Sequence, residues 1–447
     1  MSTLIKTDLK QRIKNPLTWF IIFILCLMSM LNIIEMKNKR LNRPFQGHDI
    51  YLWGSGQTYD WVQFMDEMER EAYPEAYLAH YLYTIIPEEF VKASEENNIK
   101  ELMRTMTFYN LIRAKGGYVT NDPIMDTVFY NKTIDMWNDV SGGIAYEDVN
   151  FYPFGDVFSE GKYEPLLIAK YYYKLYKNDF EPIYENDINN ITYLYDYFFN
   201  IVPKFIVIIS IIFIYNTINK EKNRGSLKLV LTQSISRRKY YISKWTSGVI
   251  YVIFIFVFPA IIISLILGLL NGFAPIDYST IYLKNSMKSF KSIPNYFDSV
   301  KSTWGNYPRL ARTFSYFSPS YKVMANQAYP HERMEIIPFY KYLLIVLLLT
   351  ILFIGFAVAL IQLISAIINH EIISFVAATG VFIIGTLISA PFKYEKHLNL
   401  SPFTMENASR IVIGTYNITA LTSILILLSS TILLLIVGGI YFRKKEI

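Results

Sequence analysis

The chain has 447 residues, of which 52% are hydrophobic and only 18% charged, whereas a soluble domain usually carries about a quarter of its residues as charges. Several apolar runs reach the ~20 residues needed to cross a hydrocarbon core, which excludes a soluble protein and predicts an all-α polytopic membrane protein, since helices are the open-chain solution that satisfies its own backbone in lipid. The net charge is a mild +6, and the one cysteine, Cys26, lies inside the first apolar run, which excludes disulfides and cysteine-based metal sites.

Residues 1–15 read as a basic amphipathic helix, with Lys6, Lys10, Arg12 and Lys14 against Asp8 alone. The first span is predicted at 17–34, apolar except for Thr18, Ser29 and Asn32. It is longer than a signal core and has no small-x-small cleavage site, so it is predicted to stay as an anchor.

Residues 35–197 turn soluble in character, as a module inserted after the first span. Between residues 35 and 200 there are 27 acidic and 15 basic residues, a net −12, and the rest of the chain carries +18. Such asymmetry speaks to partners rather than to fold. Apolar spacing predicts a helix from 88 to 114, ended by Gly116 and Gly117, with further helices at 74–85, 122–139 and 164–177 and a connecting loop over 142–161. Tyr171, Tyr172, Tyr173 and Tyr176 read as packing residues near a bilayer surface.

Further spans are predicted at 198–218, 245–270, 342–365, 372–390 and 419–441. Between them lie a basic link at 219–244, a polar and aromatic segment at 271–341, and a loop at 391–418 in which Ser401 or Thr404 would cap a short helix. Opposite charge would let the 271–341 segment dock on the acidic module. Pro259 is expected to kink the third span, and Gly268 and Gly272 have the spacing of a helix crossing. The basic start, the basic link and the basic tail at 442–447 all place the N- and C-termini in the cytoplasm and the module outside.

Catalytic signatures are missing. There is no GxxxxGK[ST] to cradle phosphates, no HExxH and no GxSxG, so no ATPase, zinc-protease or serine-hydrolase site is predicted in this chain. Polar residues within the spans, Lys204, Ser210, Asn216 and Gln362, are candidates for a cargo path, although helix interfaces or snorkelling are the favoured account of them. A non-transporting sensor or assembly factor, with a ligand-binding module and a basic recruiting loop, is the alternative from another class.

The link reads KEKNRGSLKLVLTQSISRRKYYISKW over residues 220–245. Glu221 and Arg224 have pairing spacing, Leu227, Val230 and Leu231 share a helical face, and Ser234 or Ser236 can cap a helix carrying Arg237 that runs through Lys244 into the third span. The pattern Glu221-x-x-x-Gly225-Ser226-Leu227, then Leu229-x-Leu231, Ser234-Ile235-Ser236-Arg237 and Lys244, resembles the hallmark loop of type-2 ATP-binding-cassette (ABC) exporter permeases. Ser234 stands where proline is usual and Ser243 where glycine often precedes the lysine. The start of the chain is similar to that family's elbow helix.

The resemblance implies a coupling loop whose apolar face, Leu227, Val230 and Leu231, enters a groove of a separate nucleotide-binding subunit, with Glu221 and Arg237 at the rim. It implies that ATP and Mg are bound by that partner, as a dimer beneath two permease subunits (a homodimer or sister chains), and that no cofactor belongs to this chain. It also implies export of a peptide, such as a bacteriocin or antimicrobial peptide, or of a lipid, across a bacterial cell membrane.

Overall fold

The structure is a computed structural model that describes residues 2–41, 86–118, 123–147, 163–181, 183, 187–223, 236–284, 334–393, 399–414, 416 and 418–444. Among the described residues six helices are long and apolar enough to cross a membrane: Pro16–Glu35, Asn190–Asn223, Arg237–Asn271, Phe339–Ile367, Glu371–Lys393 and Ala420–Lys444. Before them comes α1 (Ser2–Ile13), and the first span is the front of α2 (Pro16–Leu41). The two chain ends share one face of the bundle, called the terminal face below. The inserted module stands on the far face.

The turn between α1 and α2 is closed locally. Asn15 accepts from the backbone of Leu17 at 3.1 Å, and Trp19 donates its indole N–H to the carbonyl of Ile13 at 3.0 Å. The three polar residues of the first span fall on one helical stripe, and that stripe faces the other spans. Thr18 meets the Tyr251 hydroxyl at 2.5 Å, Ser29 receives the Tyr193 hydroxyl at 3.2 Å, and Asn32 donates to Asp196. Polar atoms in lipid need such partners.

The second span starts earlier than its apolar run, at Asn190, where Asn189 and Thr192 form a capping box. It carries a π-turn at Tyr197–Ile201 before helix resumes at Val202. Pro203 explains part of this, because it cannot donate to the carbonyl four residues back, that of Phe199. The Asn407 side chain takes over that carbonyl at 3.0 Å. A defect in one span therefore fixes the loop between the fifth and sixth. Asn407, rather than Ser401 or Thr404, is the side-chain cap of the short helix Ala408–Val412; Ser401 starts only a turn at Pro402–Thr404 and makes no cap bond there.

The third span is one helix of 35 residues from Arg237, with Ser236 as N-cap accepting from the Lys239 N–H, and it continues through Pro259. The Tyr197 hydroxyl donates to the Phe256 carbonyl at 2.9 Å, beside the carbonyl of Ile255 that Pro259 leaves without its helical donor. One close helix approach lies at Gly248, where an added Cβ would stand 3.0 Å from both Ile214 and Val358. At Gly268 a Cβ would instead meet Phe273, just beyond the helix end, and Gly272 ends the helix at φ 85°. The Gly268/Gly272 pair is thus a helix terminus and not the crossing.

In the module the predicted helix at 88–114 is two helices, α3 (Ile86–Glu95) and α4 (Ile99–Tyr118). Asn97 adopts φ 53°, and Asn98 accepts from the Glu101 N–H at 3.1 Å. Asparagine tolerates the left-handed region and caps helices well, so the Asn-Asn pair divides what apolar spacing alone would join. Helix α4 also passes through Gly116 and Gly117. It packs with α5 (Pro123–Val140) and α6 (Tyr163–Asn178) around buried Phe108, Trp137 and Tyr172. Arg104 ties three elements, bonding Glu89, Glu101 and the Val140 carbonyl. The 74–85 helix and most of the 142–161 loop lie outside the described residues.

A two-stranded antiparallel sheet, unforeseen from the sequence, joins the far-face ends of the third and fourth spans: β1 (Ser279–Leu283) against β2 (Met334–Pro338), with Ser279 opposite Pro338. The module docks on it through α6. The Tyr171 and Tyr278 hydroxyls meet at 2.8 Å, and Lys174 donates to the Ile336 carbonyl at 2.6 Å. The contacts among the described residues use aromatic rings and a backbone carbonyl; most of the 271–341 segment, the part expected to dock by opposite charge, lies outside the described residues.

Candidate functional site

The densest polar cluster among the described residues lies on the terminal face, where α1 crosses the ends of the second and third spans. Residues 4, 5, 8, 9, 12 and 13 form the half-buried side of α1, with Lys6, Lys10 and Lys14 turned out. Two of the inward positions are charged. Asp8 and Arg12, one turn apart, pair at 2.7 Å.

Asp8 is the hub. It accepts from Arg12, from Lys244 at 2.7 Å and from the Ser247 hydroxyl at 2.5 Å. Lys244 bridges onward to Glu221, whose carboxylate also accepts from the Tyr240 hydroxyl. Arg12 continues to the Phe213 carbonyl at 3.1 Å and the Thr217 hydroxyl at 3.3 Å, and its guanidinium lies 5.5 Å from the Tyr251 ring centre. Burial alone would push the Asp8 carboxyl up, but the charges of Arg12 and Lys244 and the bonds from Lys244 and Ser247 outweigh it and hold the group at about 2. Two acids and two bases balance. A buried, balanced and hydrogen-bonded set is tolerated, whereas removing one member leaves an uncompensated charge.

The cluster has a particular place in the chain. Glu221 is at the end of the second span and Lys244 is two turns into the third, so the pair brackets residues 224–235. The two roots of that segment are tied further. Lys222 donates to Asn369 at 2.9 Å and Asn223 to Glu371 at 3.3 Å, both at the junction of the fourth and fifth spans. Arg237 reaches the carbonyl of Arg443 at the end of the sixth span at 3.2 Å. A displacement of either root is therefore felt by α1 and by the second to sixth spans.

Of the residues singled out in the sequence, Glu221, Ser236, Arg237 and Lys244 are at these roots. Arg224, Gly225, Leu227, Val230 and Leu231 lie outside the described residues. The four cargo-path candidates meet different neighbours. Lys204 is exposed, Ser210 is buried and bonds the Ile206 carbonyl of its own helix, Asn216 is half-buried with its carbonyl accepting from the Lys220 N–H, and Gln362 is buried and donates to the Tyr241 carbonyl at 2.8 Å. No hydrogen bond among the described residues joins any two of them.

Sequence reasoning missed Asp8, Arg12, Tyr240 and Ser247. The signal was present for two of them: Asp8 and Arg12 occupy the apolar stripe of α1 beside Leu4, Ile5, Leu9 and Ile13, where an ionised side chain needs a partner.

A family model described as ABC-2 family transporter protein matches residues 2–447. The chain belongs to this family. No curated protein and no solved structure matched it. The ABC-2 match makes the chain the membrane-spanning permease component of an ABC transporter, a multi-pass membrane protein that works with an ABC ATP-binding subunit and is not itself the ATPase.

Proposed function

We propose that this ABC-2 permease is an exporter subunit whose 219–244 segment receives the motion of a separate ATP-binding subunit and passes it to the spans through the Asp8–Arg12–Lys244–Glu221 cluster. The observation that carries the reading is the bracketing of residues 224–235 by Glu221 and Lys244, both joined to Asp8 on α1. In this reading Leu227, Val230 and Leu231 enter the groove of the ATP-binding subunit, with Arg224, Gly225, Ser236 and Arg237 shaping the loop around them. ATP and Mg are bound by that partner, which acts as a dimer under two permease copies, a homodimer or sister chains. The terminal face is cytoplasmic, as its basic flanks favour, and the acidic module stands outside a bacterial cell membrane.

The cargo is a peptide, such as a bacteriocin or antimicrobial peptide, or a lipid. The net −12 of the inserted stretch suits a cationic, amphipathic peptide. The test uses the chain purified with the ATP-binding subunit that accompanies it and reconstituted in vesicles. Replacing both Leu227 and Leu231 with Asp should abolish the association. Lys244→Met should keep the association but uncouple ATP turnover from cargo. If the Asp pair left both association and turnover intact, the coupling role would be wrong.

A further inference from the structure

The ion cluster on the terminal face fixes how α1 is rolled. Asp8 and Arg12 turn toward the second and third spans, with Leu4, Ile5, Leu9 and Ile13 half-buried beside them. Positions four apart share a helical face, so Lys6, Lys10 and Lys14 form one stripe along α1 and its last turn, and all three are exposed on the side away from the cluster. Their exposed neighbours Thr3, Thr7 and Gln11 are uncharged, and the one acid of α1, Asp8, faces the other way. Among the described residues none of the three lysines makes an ion pair.

The height of the stripe follows from what the inner side of α1 touches. The third span ends at Leu269 and Leu270, which are 77% and 74% exposed, and about 20 residues cross a hydrocarbon core, so on the terminal face that core begins near Tyr251. Thr18, at the start of the first span, meets the Tyr251 hydroxyl at 2.5 Å. Both helices therefore put the boundary at one level. Arg12 lies against the Tyr251 ring, and Asp8 meets Ser247 and Lys244, which are one and two turns further out, or about 6–10 Å at the helical rise. Headgroups fill a layer of roughly 5–7 Å beyond the hydrocarbon, so α1 lies in that layer, beside the spans rather than beneath them. The third span continues outward to Arg237, about 10–20 Å beyond residues 244–251. A protein docked on residues 224–235 meets the roots of the spans there and reaches the stripe only by entering the headgroup layer.

We propose that Lys6, Lys10 and Lys14 bind the phosphates of anionic phospholipids in the leaflet on the terminal face, so that α1 is held by lipid on one side and by the Asp8 cluster on the other. Exposed Leu17, Trp19 and Phe20 follow the stripe directly, the apolar and aromatic companions of a basic helix at a bilayer surface. Neither the cargo nor the ATP-binding subunit enters the argument. The experiment is native mass spectrometry of the full chain in detergent with phosphatidylglycerol and phosphatidylcholine of matched acyl chains. The wild type should retain phosphatidylglycerol in preference. In K6E/K10E/K14E the preference should fall about tenfold or more, since each basic residue near an anionic surface contributes about fivefold, while retention of phosphatidylcholine stays unchanged. If reversing three charges prevents folding, K10Q/K14Q, both on exposed side chains, carries the same test with a smaller loss. An unchanged preference in a folded variant overturns the proposal. Displacement of the retained phosphatidylglycerol by excess inorganic phosphate overturns it as well, because the stripe would then select a soluble anion. So does loss of the co-purifying ATP-binding subunit from K6E/K10E/K14E with the lipid preference intact, which would give the stripe to a protein partner.

Discussion

The two faces of this permease are fastened by different chemistry. On the terminal face α1 and the second and third spans meet through four ionised side chains, with Asp8 making three of the contacts. On the far face the module meets the sheet between the third and fourth spans through the Tyr171–Tyr278 hydroxyls and a lysine on a backbone carbonyl, and the loop between the fifth and sixth spans meets the second through the Asn407 amide on the carbonyl freed by Pro203. None of these bonds needs a charged acceptor, so they fix position with less dependence on protonation. A balanced ionic cluster is all-or-none, since each member is tolerated only while the others are present. The difference makes the terminal face the one whose fastening is more sensitive to loss or protonation of a single side chain.

The sharpest way to break that contrast is Lys244→Met. It leaves Asp8 and Glu221 as half-buried carboxylates with only Arg12 opposite, and should cost at most about 3–5 kcal/mol, the range for a fully buried pair, read as loss of yield and a lowered thermal midpoint in detergent. Adding Asp8→Asn should restore part of it, a coupling that a double-mutant cycle measures. Additive losses would mean that the two residues act separately and that the cluster is not a unit.

Acid should find the same joint. The Asp8 carboxyl is lowered from 3.8 to about 2 in the folded chain, so the folded state binds its proton less readily than the unfolded one. Its contribution is fully present above about pH 4 and is lost as the pH falls from about 4 toward 2; it is worth about 2 kcal/mol by linkage. Stability measured through that window should decline in the wild type and flatten in Asp8→Asn. Equal slopes would show that other carboxylates carry the acid response.

On the far face, Asn407→Leu removes the donor from the Phe199 carbonyl and should cost about 1–3 kcal/mol, the penalty of an unsatisfied buried acceptor. The expected sign is faster amide exchange around residues 197–203 with the terminal face unaffected. If exchange rose equally in α1, the two faces would be one cooperative unit.

The contrast also separates what was legible in the sequence. Six spans and a helical module follow from apolar runs and 3.6-residue spacing, because burial in lipid or in a core leaves a direct mark on composition. What escaped were features set by single backbone groups. The break at Asn97–Asn98 depends on one left-handed residue, the π-turn on a proline whose missing donor is replaced from 204 residues away in the chain, and the β1–β2 pairing on strands separated by a segment longer than either. The link at 219–244 stood out by charge and motif. Its inner partners did not, because Asp8 looks like one acid among four basic residues until the helix is rolled up and Asp8 and Arg12 turn toward the apolar side.

The smallest expected effect is also the most selective. Tyr278→Phe keeps the ring stacked on Phe180, with centroids 6.1 Å apart, and removes only the hydroxyl that meets Tyr171 and accepts from the Ile183 N–H at 2.8 Å. The global cost should be about 1 kcal/mol, typical of a neutral hydrogen bond, while Ala at the same position would add the loss of a fully buried ring. The local effect should be clearer than the global one: amide exchange should rise at 163–183 and along β1, and remain unchanged in α1 and at 237–247. That pattern would mark the module and the sheet as one body resting on the third and fourth spans, although the chain enters and leaves the module through the first and second. Protection lost instead at the ends of those two spans would put the hinge where the chain connects and not where the tyrosines meet.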